Sequence, residues 1–510
     1  MERNRTQRAR RIRGTLLALT AAGSLLLTAC AAGGTEDHTN SADKHGLPAP
    51  APGRHDRGDA KGFETAPSDD HLSTFALDVD TASYTYARRT LADGRTPDPS
   101  TVRPEEFVNS FRQDYRRPDG NGFSVTVDGA RTAGPDWSLV RVGLATRAAE
   151  PTQKRPPAAL TFVVDVSGSM DEPGRLDLAK QSLDTMTDRL RDDDSVAVVT
   201  FSEHAETVLP MTRLGSHRGE VHDAIDGLEA QSSTNLGAGV ETGYATAVEG
   251  LRKGATNRVV LVSDALANEG ETSPDAILRR IDTARREHGI TLFGVGVGSN
   301  YGDALMERLA DKGDGHTAYV SDTDGAREVF CEQLPQNIEL TARDAKAQVA
   351  FDPDTVAEFR LVGYDDRKVA DDDFRDDRVD GGEVGPGHTV TALYAVRTKP
   401  GADGHLATAT VRWLDPTTRA PHEETGALET GALKDSVWEA SPRFQVTAVA
   451  AYFADALRAG GTDHGPALPG APGLTRLAAR AATLADVTED QDVQALADAI
   501  REAHDTDTGD

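Results

Sequence analysis

The chain has 510 residues, which is enough for about three domains, one of them with a sizeable core. Its 38% hydrophobic and 27% charged residues are typical of a globular protein with some disordered tether. The net charge of −28 argues against a nucleic-acid partner, because contact with phosphates needs a basic surface. Two cysteines, Cys30 and Cys331, are too few for a disulfide framework or a cysteine metal cluster.

The first thirty residues have the pattern of an export signal. Six arginines precede an apolar run from Leu16 to Leu27, which is too short for a comfortable transmembrane helix. The cleavage region Leu27-Thr-Ala-Cys30 resembles the lipobox of bacterial lipoproteins. The resemblance implies that Cys30 is diacylated, becomes the new N-terminus and anchors the protein on the extracytoplasmic face of the cell membrane. With Cys30 acylated, Cys331 is expected to be a lone thiol buried in a helix. The alternative is an ordinary signal peptide with a coincidental cysteine.

The region after the signal changes from a tether to a small folded module. Residues 31–70 are rich in Gly, Pro, Ala, Asp, Ser and His without periodic apolar positions, which predicts a flexible linker. The module that follows is predicted to be α+β, with strands at 73–79 and 123–128 and helices at 81–91 and 104–111. Asp80 is placed as the N-cap of the first helix. Asp78, Asp80 and Ser83 have the chemistry for a second cation site, although capping and surface charge are the favoured interpretation.

The central region alternates β-rich runs with amphipathic helices. The apolar run from Leu160 to Val166 is typical of a strand that is buried on both faces. Further strands are predicted at 195–201, 259–262, 290–297 and 316–320, and helices at 176–190, 236–251, 276–288 and 304–310. This alternation predicts an α/β fold with a doubly wound, mainly parallel sheet.

Short oxygen-bearing side chains stand at the ends of these elements. They are Asp165, Ser167 and Ser169 after the first strand, Asp264 after a later strand, and Thr234 just before a helix. Because ligands of such sheets bind beyond the carboxyl ends of the strands, we expect these side chains to lie close together. Oxygen donors without His or Cys suit Mg²⁺, with Mn²⁺ or Ca²⁺ as alternatives. A cluster of helix N-caps without a metal is the competing interpretation.

The string Asp165-Val-Ser167-Gly-Ser169 resembles the Asp-x-Ser-x-Ser motif of von Willebrand factor A (VWA) domains, their metal-ion-dependent adhesion site (MIDAS). Thr234 and Asp264 fall where that family has its threonine and second aspartate. The resemblance implies the Rossmann-like VWA fold. It also implies that Ser167 and Ser169 bind the metal directly, whereas the other three residues bind it directly or through water.

The C-terminal region has a different pattern. Residues 341–440 contain short strand-like stretches between turns, which predict an antiparallel β module, and helices are predicted at 444–457, 474–485 and 493–503. The string Phe359-Arg-Leu-Val-Gly-Tyr364 resembles the C-terminal region of bacterial YfbK-type proteins, and the string Asp78-Val-Asp-Thr-Ala-Ser-Tyr84 resembles their N-terminal region. Because both flanks occur together in that family, one hypothesis is that they form a single body around the central domain.

These patterns divide the chain into a signal peptide 1–30, a linker 31–70, an N-terminal YfbK-type module 71–155, a VWA domain 156–340, a β-rich module 341–440 and a helical segment 441–510. The leading hypothesis is a surface-anchored, non-enzymatic protein-binding module that acts through a MIDAS-type metal site. Its partner would be a protein with an acidic residue. The alternatives are a structural scaffold of an envelope complex and a metal-assisted hydrolase, for which the sequence offers no evident general base.

Overall fold

The computed structural model describes residues 64–65, 71–134, 136–148, 155–264, 274–297, 306, 309–310, 313, 315–320, 322–330, 334, 338–459 and 467–508. The signal segment, nearly all of the linker and both cysteines lie outside these residues, so the predictions made for them stay predictions. Within the described part of the chain, none of the helices combines the length and the apolar character that a membrane-spanning helix needs.

The described elements agree with most of the predicted ones to within a few residues. The strands are β1 Glu64–Thr65, β2 Leu72–Ala76, β3 Phe123–Arg131, β4 Trp137–Thr146, β5 Ala158–Asp165, β6 Ser195–Phe201, β7 Ala205–Arg213, β8 Thr256–Ser263, β9 Thr291–Val297, β10 His316–Val320, β11 Ala342–Phe351, β12 Val356–Leu361, β13 Gly382–Val384, β14 Thr389–Thr398, β15 His405–Leu414 and β16 Pro421–Glu429. The helices are α1 Ala82–Ala92, α2 Pro104–Asn109, α3 Leu176–Arg189, α4 Arg218–Asp226, α5 Leu236–Glu249, α6 Pro274–His288, α7 Thr323–Glu328, α8 Pro442–Arg458, α9 Leu474–Thr488 and α10 Gln491–Thr508. The predicted helix at 304–310 falls largely outside the described residues.

The central sheet has six strands in the order β10-β9-β8-β5-β6-β7. Every neighbouring pair is parallel except β6 and β7, which are antiparallel. All eight residues of β5, in the middle of the sheet, are buried. The prediction of a doubly wound, mainly parallel sheet is confirmed. The sequence did not predict β7, because this edge strand is mostly exposed and contains Pro210, so it lacks a clear apolar alternation.

The two faces of the central sheet are covered by different helices. On β5, Leu160, Phe162 and Val164 pack into a cluster with apolar residues of α3 and α4, whereas Val163 packs into a cluster with residues of α5 and α6. Successive side chains of a strand point to opposite faces, so a run that is apolar at every position needs cover on both sides. The sequence of β5 therefore requires the two helical layers that the structure shows.

Helix α5 carries glycines where it packs against the strands of the central sheet. A Cβ atom on Gly243 would lie 2.3 Å from Val163 Cγ2, and one on Gly239 would lie 2.6 Å from the Phe201 ring. Both distances are far inside van der Waals contact, so a larger residue would push the helix away. The two glycines therefore let α5, which begins two residues after Thr234, pack directly on the sheet.

The regions before and after the central domain share two further sheets. One sheet has the order β1-β12-β14-β4-β3, and the other has the order β13-β11-β15-β16, with β2 also paired to β11. Residues 71–148 and 341–429 therefore form one body, as the hypothesis from their joint resemblance proposes, and are not two separate modules. The predicted linker, residues 31–70, extends too far toward the C-terminus, because Glu64 and Thr65 already form a strand that pairs with β12.

The helices of the flanking body also come from both sides of the central domain. Apolar residues of α1 and α2 share one core cluster with residues of α8, α9 and α10. The aromatic rings of Tyr84 and Phe107 lie 5.3 Å apart at an edge-to-face angle, and Phe107 in turn contacts Phe453 of α8 at 6.0 Å. Contacts of this kind stabilise beyond the burial of their area. Long-range packing thus joins segments that are more than 300 residues apart.

Candidate metal centre

The predicted metal ligands come from chain segments that meet at the carboxyl ends of the central parallel strands. Strand β5 ends at Asp165, and its parallel neighbour β8 ends at Ser263, directly before Asp264. Because the register pairs Val164 with Val262, the carboxyl ends of the two strands are level. Asp165 and Asp264 are both fully buried. The topology therefore brings together two carboxylates that lie almost one hundred residues apart in the sequence.

Two hydrogen bonds fix the carboxylate of Asp165. The backbone N–H of Ser167 donates to its Oδ1 at 2.9 Å, and the Ser263 hydroxyl donates to its Oδ2 at 2.6 Å. Burial raises the pKa of Asp165 to about 6; the hydrogen bonds oppose this rise, and the charge of Asp264 adds to it. A bound cation would favour the ionised carboxylate and so offset the effect of burial. Sequence reasoning missed Ser263, because a serine at the end of a buried strand carries no motif signal.

The hydroxyls of Ser167 and Ser169 lie side by side. Their Oγ atoms are 3.1 Å apart on the tight turn Gly168–Asp171 that follows β5. Ser167 occupies the N-cap position of this turn but makes no side-chain capping hydrogen bond. The helix-cap interpretation therefore does not account for Ser167, and its hydroxyl is placed to act together with that of Ser169.

The loop that carries Thr234 is bound to the ends of the central strands by backbone hydrogen bonds. The N–H of Gln231 donates to Val166 O at 2.6 Å, and the N–H of Asn235 donates to Ser202 O at 2.7 Å. Thr234 lies between these two attachment points, and only 2% of its surface is exposed. The structure thus places the third predicted hydroxyl on a loop that is held against the turn containing Ser167.

Arg175 belongs to the same site, although the motif gives no sign of it. Its Nη1 donates to the carbonyl oxygen of Ser169 at 2.8 Å and lies 3.2 Å from Oδ2 of Asp264. Its Nη2 lies 2.6 Å from Oε2 of Glu172. The Arg175 side chain is only 3% exposed, whereas that of Glu172 is 64% exposed. A fixed positive charge therefore links the serine turn to the second aspartate.

The donor set fits a hard divalent cation. It offers two carboxylates and three hydroxyls, which are the oxygen ligands that Mg²⁺, Mn²⁺ and Ca²⁺ take in proteins. Among the residues that the structure describes, no cluster of three or more His, Cys, Asp or Glu side chains could hold a metal ion. The Asp165 site is of another kind, because hydroxyls make up more than half of its predicted donors.

The second candidate cation site, at Asp78, Asp80 and Ser83, has a structural role instead. Asp80 does not cap α1, because Thr81 occupies the cap position. Its two carboxylate oxygens accept hydrogen bonds from the backbone N–H and the hydroxyl of Thr317, each at 3.0 Å. The prediction of Asp80 as an N-cap is therefore wrong: a tertiary contact with β10 takes both of its oxygens.

The neighbours of Asp80 complete this junction between the flanking body and the central sheet. Arg367 Nη2 lies 3.4 Å from Oδ1 of Asp78 and 3.4 Å from Oδ2 of Asp80. The Ser83 hydroxyl donates to the carbonyl oxygen of Thr101 and accepts from the N–H of Arg103, so these hydrogen bonds connect it to the segment before α2 and not to the two carboxylates. Because β10 begins at His316, the junction lies at the amino-terminal ends of the parallel strands, whereas Asp165 lies at their carboxyl ends. The structure supports neither a second cation site nor surface charge at these positions.

A groove of about 680 Å³ lies elsewhere on the central domain, between the second half of α5 and α6. Its lining includes Tyr244 and Val248 together with charged residues of both signs, among them Glu249 and Arg280. The predicted metal ligands are not among its lining residues. This groove and the predicted ligand cluster are therefore separate features of the fold.

Comparison with known proteins gives the class of the central domain. The family profile "von Willebrand factor type A domain" matches residues 159–332, so the sheet and the serine turn belong to a VWA domain. Domains of this family are often metal-dependent protein-interaction modules. A profile for the C-terminal domain of "Uncharacterized protein YfbK" matches residues 337–428, and a profile described as "von Willebrand factor" matches residues 54–138.

The chain therefore combines a VWA domain with a YfbK-type C-terminal domain. It is 38% identical to "Uncharacterized protein YfbK" of Escherichia coli over 333 residues, which cover 63% of this chain and 57% of that protein. It is 26% identical to "Uncharacterized protein sll0103" of Synechocystis over 205 residues, 40% of this chain and 47% of that protein. The matched regions thus span about half the length of these relatives. A solved "von Willebrand factor type A from Catenulispora acidiphila" aligns with a TM-score of 0.44 and 16% identity, over 76% of this chain and 91% of that one.

Proposed function

We propose that the protein binds a partner protein through a divalent cation held by Asp165, Ser167, Ser169, Thr234 and Asp264. The ion would be Mg²⁺, Mn²⁺ or Ca²⁺, and the partner would offer the carboxylate of an Asp or Glu side chain. The observation that carries the proposal is the convergence of a buried, hydrogen-bonded Asp165 with two adjacent hydroxyls at the carboxyl edge of a VWA sheet.

Each side chain has its own part in this proposal. Ser167 and Ser169 bind the ion directly, Thr234 binds it directly or through water, and the two aspartates bind in either way while they hold the hydroxyls in place. Neutral hydroxyls offset less of the positive charge of the ion than carboxylates do. The bound ion would supply a positive charge that still attracts a further anionic ligand, and an acidic partner provides one.

The proposed location is the extracytoplasmic face of the bacterial cell membrane, with Cys30 as the site of lipid attachment. The arginine-rich start, the short apolar run and the lipobox-like string support this location. Two acyl chains are enough for stable anchoring, so the protein would sit on the membrane without spanning it. A VWA domain in this position can reach partner proteins of the cell envelope.

The test is selection of a displayed random peptide library on the purified protein in Mg²⁺ and in EDTA. We expect enriched peptides to share an Asp or Glu residue and to lose binding in EDTA. The variant Ser167→Ala/Ser169→Ala should bind them roughly 10- to 100-fold more weakly. Ser182→Ala is the matched control, since the Ser182 hydroxyl donates to the carbonyl oxygen of Leu178 on its own helix and is not one of the predicted ligands. Binding that persists in EDTA, or that is as tight in the double variant as in the wild type, would contradict the proposal.

A structural scaffold is the second candidate function, because buried contacts such as Asp80 with Thr317 join the VWA domain to the flanking body. The two functions differ in what the metal site does. A scaffold needs the ion for folding alone, so the double variant would be destabilised and no acidic peptide would be enriched. Turnover of model esters that EDTA abolishes would instead indicate a metal-assisted hydrolase, whereas we propose a binding protein without enzymatic activity.

A further inference from the structure

A positively charged side chain already occupies part of the predicted metal site. Arg175 directly precedes α3 and follows Gly174, whose φ of 84° gives the backbone a turn that favours glycine. The turn directs the Arg175 guanidinium inward, where it contacts the Ser169 carbonyl at 2.8 Å and the Asp264 carboxylate at 3.2 Å. One carboxylate that the metal is predicted to use is thus also the partner of an arginine.

In this arrangement the positive charge of Arg175 opposes binding of a divalent cation at Asp264. Guanidinium does not lose its proton in proteins, so its charge stays in the site at every physiological pH. An ion that takes Asp264 as a ligand must share this carboxylate with Nη1 and meets a like charge a few ångströms away. Repulsion between like charges at such separations is large when both groups are shielded from water. Arg175 is 3% exposed, so solvent screens its charge poorly.

The exposed side chain of Glu172 reduces the repulsion between Arg175 and a bound cation. Its Oε2 lies 2.6 Å from Nη2 of Arg175, whereas Asp264 contacts the other terminal nitrogen, Nη1. The pair Glu172–Arg175 has no net charge, whereas Arg175 without Glu172 would oppose the ion more strongly. The two residues therefore have opposite expected effects on metal binding.

From this geometry we infer that Arg175 competes with the divalent cation for Asp264 and keeps the affinity of the site for the free ion low. The inference rests on the proposed function, because it assumes that Asp264 is a ligand. The alternative is that Arg175 positions the serine turn and Asp264 for the metal. The two roles predict opposite changes when the positive charge is removed.

The experiment is a titration of the purified protein with Mn²⁺ alone, with bound and free ion separated by the electron paramagnetic resonance signal of the free ion. Arg175→Met is expected to bind Mn²⁺ at least about tenfold more tightly than the wild type, because it removes the competing charge. Arg175→Lys keeps the charge and is expected to bind within roughly threefold of the wild type. Glu172→Gln is expected to bind more weakly, by a factor of about three, the size of an exposed ion-pair effect.

The outcomes separate the inference from the proposed function. Unchanged or weaker Mn²⁺ binding by Arg175→Met, in a variant with the circular dichroism spectrum of the wild type, would overturn the inference and indicate a positioning role. Should Arg175→Met fail to fold, Glu172→Gln decides: weaker binding supports the competition, and equal or tighter binding overturns it. Mn²⁺ binding that is undetectable in the wild type and in every variant would overturn the proposed function and the inference together.

Discussion

Replacing Arg367 by methionine is expected to lower the free energy of unfolding by about 3–5 kcal/mol, because the change leaves two buried carboxylates without their arginine partner. Arg367 Nη2 lies 3.4 Å from Asp78 and 3.4 Å from Asp80, and these two side chains are 2% and 0% exposed. Burial raises the pKa of both carboxyl groups, and the charge of Arg367 opposes the rise. Urea unfolding at neutral pH measures the loss.

Two further variants make this test specific. Arg375→Met removes an exposed ion pair with Glu423, so it is expected to change stability by less than about 1 kcal/mol. In the background Asp80→Asn, the loss caused by Arg367→Met should shrink, because one of the two unpaired charges is absent. Equal losses from Arg367→Met and Arg375→Met would show that the junction does not depend on this buried charge network.

Glu105→Gln is expected to stabilise the protein above neutral pH, which is unusual for a change at a position that is only 5% exposed. Oε2 of Glu105 is buried and has no hydrogen-bond partner among the residues that the structure describes. It lies close to Gly363, where a Cβ atom would be only 2.0 Å away from it. Burial raises the pKa of Glu105 to about 7, and the nearby Asp78 adds to the rise. The ionised carboxylate is therefore disfavoured in the folded state.

The sign of the pH dependence follows from this shift. Because the pKa in the folded state, about 7, exceeds the ordinary value of 4.5, the native protein binds more protons than the unfolded chain between these values. Stability contributed by Glu105 is thus present below about pH 4.5 and lost as the pH rises to about 7. Relative to Glu105→Gln, the wild type should lose on the order of 3 kcal/mol over that range.

Urea unfolding of both proteins at about pH 5 and about pH 8 measures this difference. Glu106→Gln is the matched control on the same helix. Oε2 of Glu106 accepts a hydrogen bond from the Ser83 N–H at 2.7 Å, and this bond stabilises the carboxylate in the folded state. We expect Glu106→Gln to give no stabilisation at either pH. If the free energies of unfolding of the wild type and of Glu105→Gln differ by the same amount across the pH range, the raised pKa of Glu105 is contradicted.

Local patterns were sufficient to predict the central domain. The uninterrupted apolar run of β5 requires cover on both faces, and the strand–helix alternation then leaves few topologies other than a doubly wound sheet. The same topology predicts that the residues after β5 and β8 lie together, and the structure places Asp165 next to Ser263, directly before Asp264. The strand order itself, in which β8 lies beside β5, is known only from the structure.

The flanking body and the positions of Asp80 and Arg175 depend on contacts between residues far apart in the chain. The pairing of β2 with β11 and of β4 with β14 joins segments separated by more than 240 residues, and no local pattern encodes such partners. Asp80 has the sequence position of a helix cap, but Thr317 takes its oxygens because β10 packs against α1. Arg175 likewise reads as an ordinary residue before a helix, and only the folded chain places it beside Asp264.

Thermal unfolding in EDTA and in saturating Mg²⁺ tests the metal site most directly, with Asp165→Ala and Asp264→Ala measured beside the wild type. At an ion concentration about a hundredfold above the dissociation constant, the wild type should gain about 2.7 kcal/mol of stability. Neither variant should gain stability from the ion. A wild type that unfolds at the same temperature in EDTA and in Mg²⁺, Mn²⁺ and Ca²⁺ would contradict the assignment of these residues as a cation site.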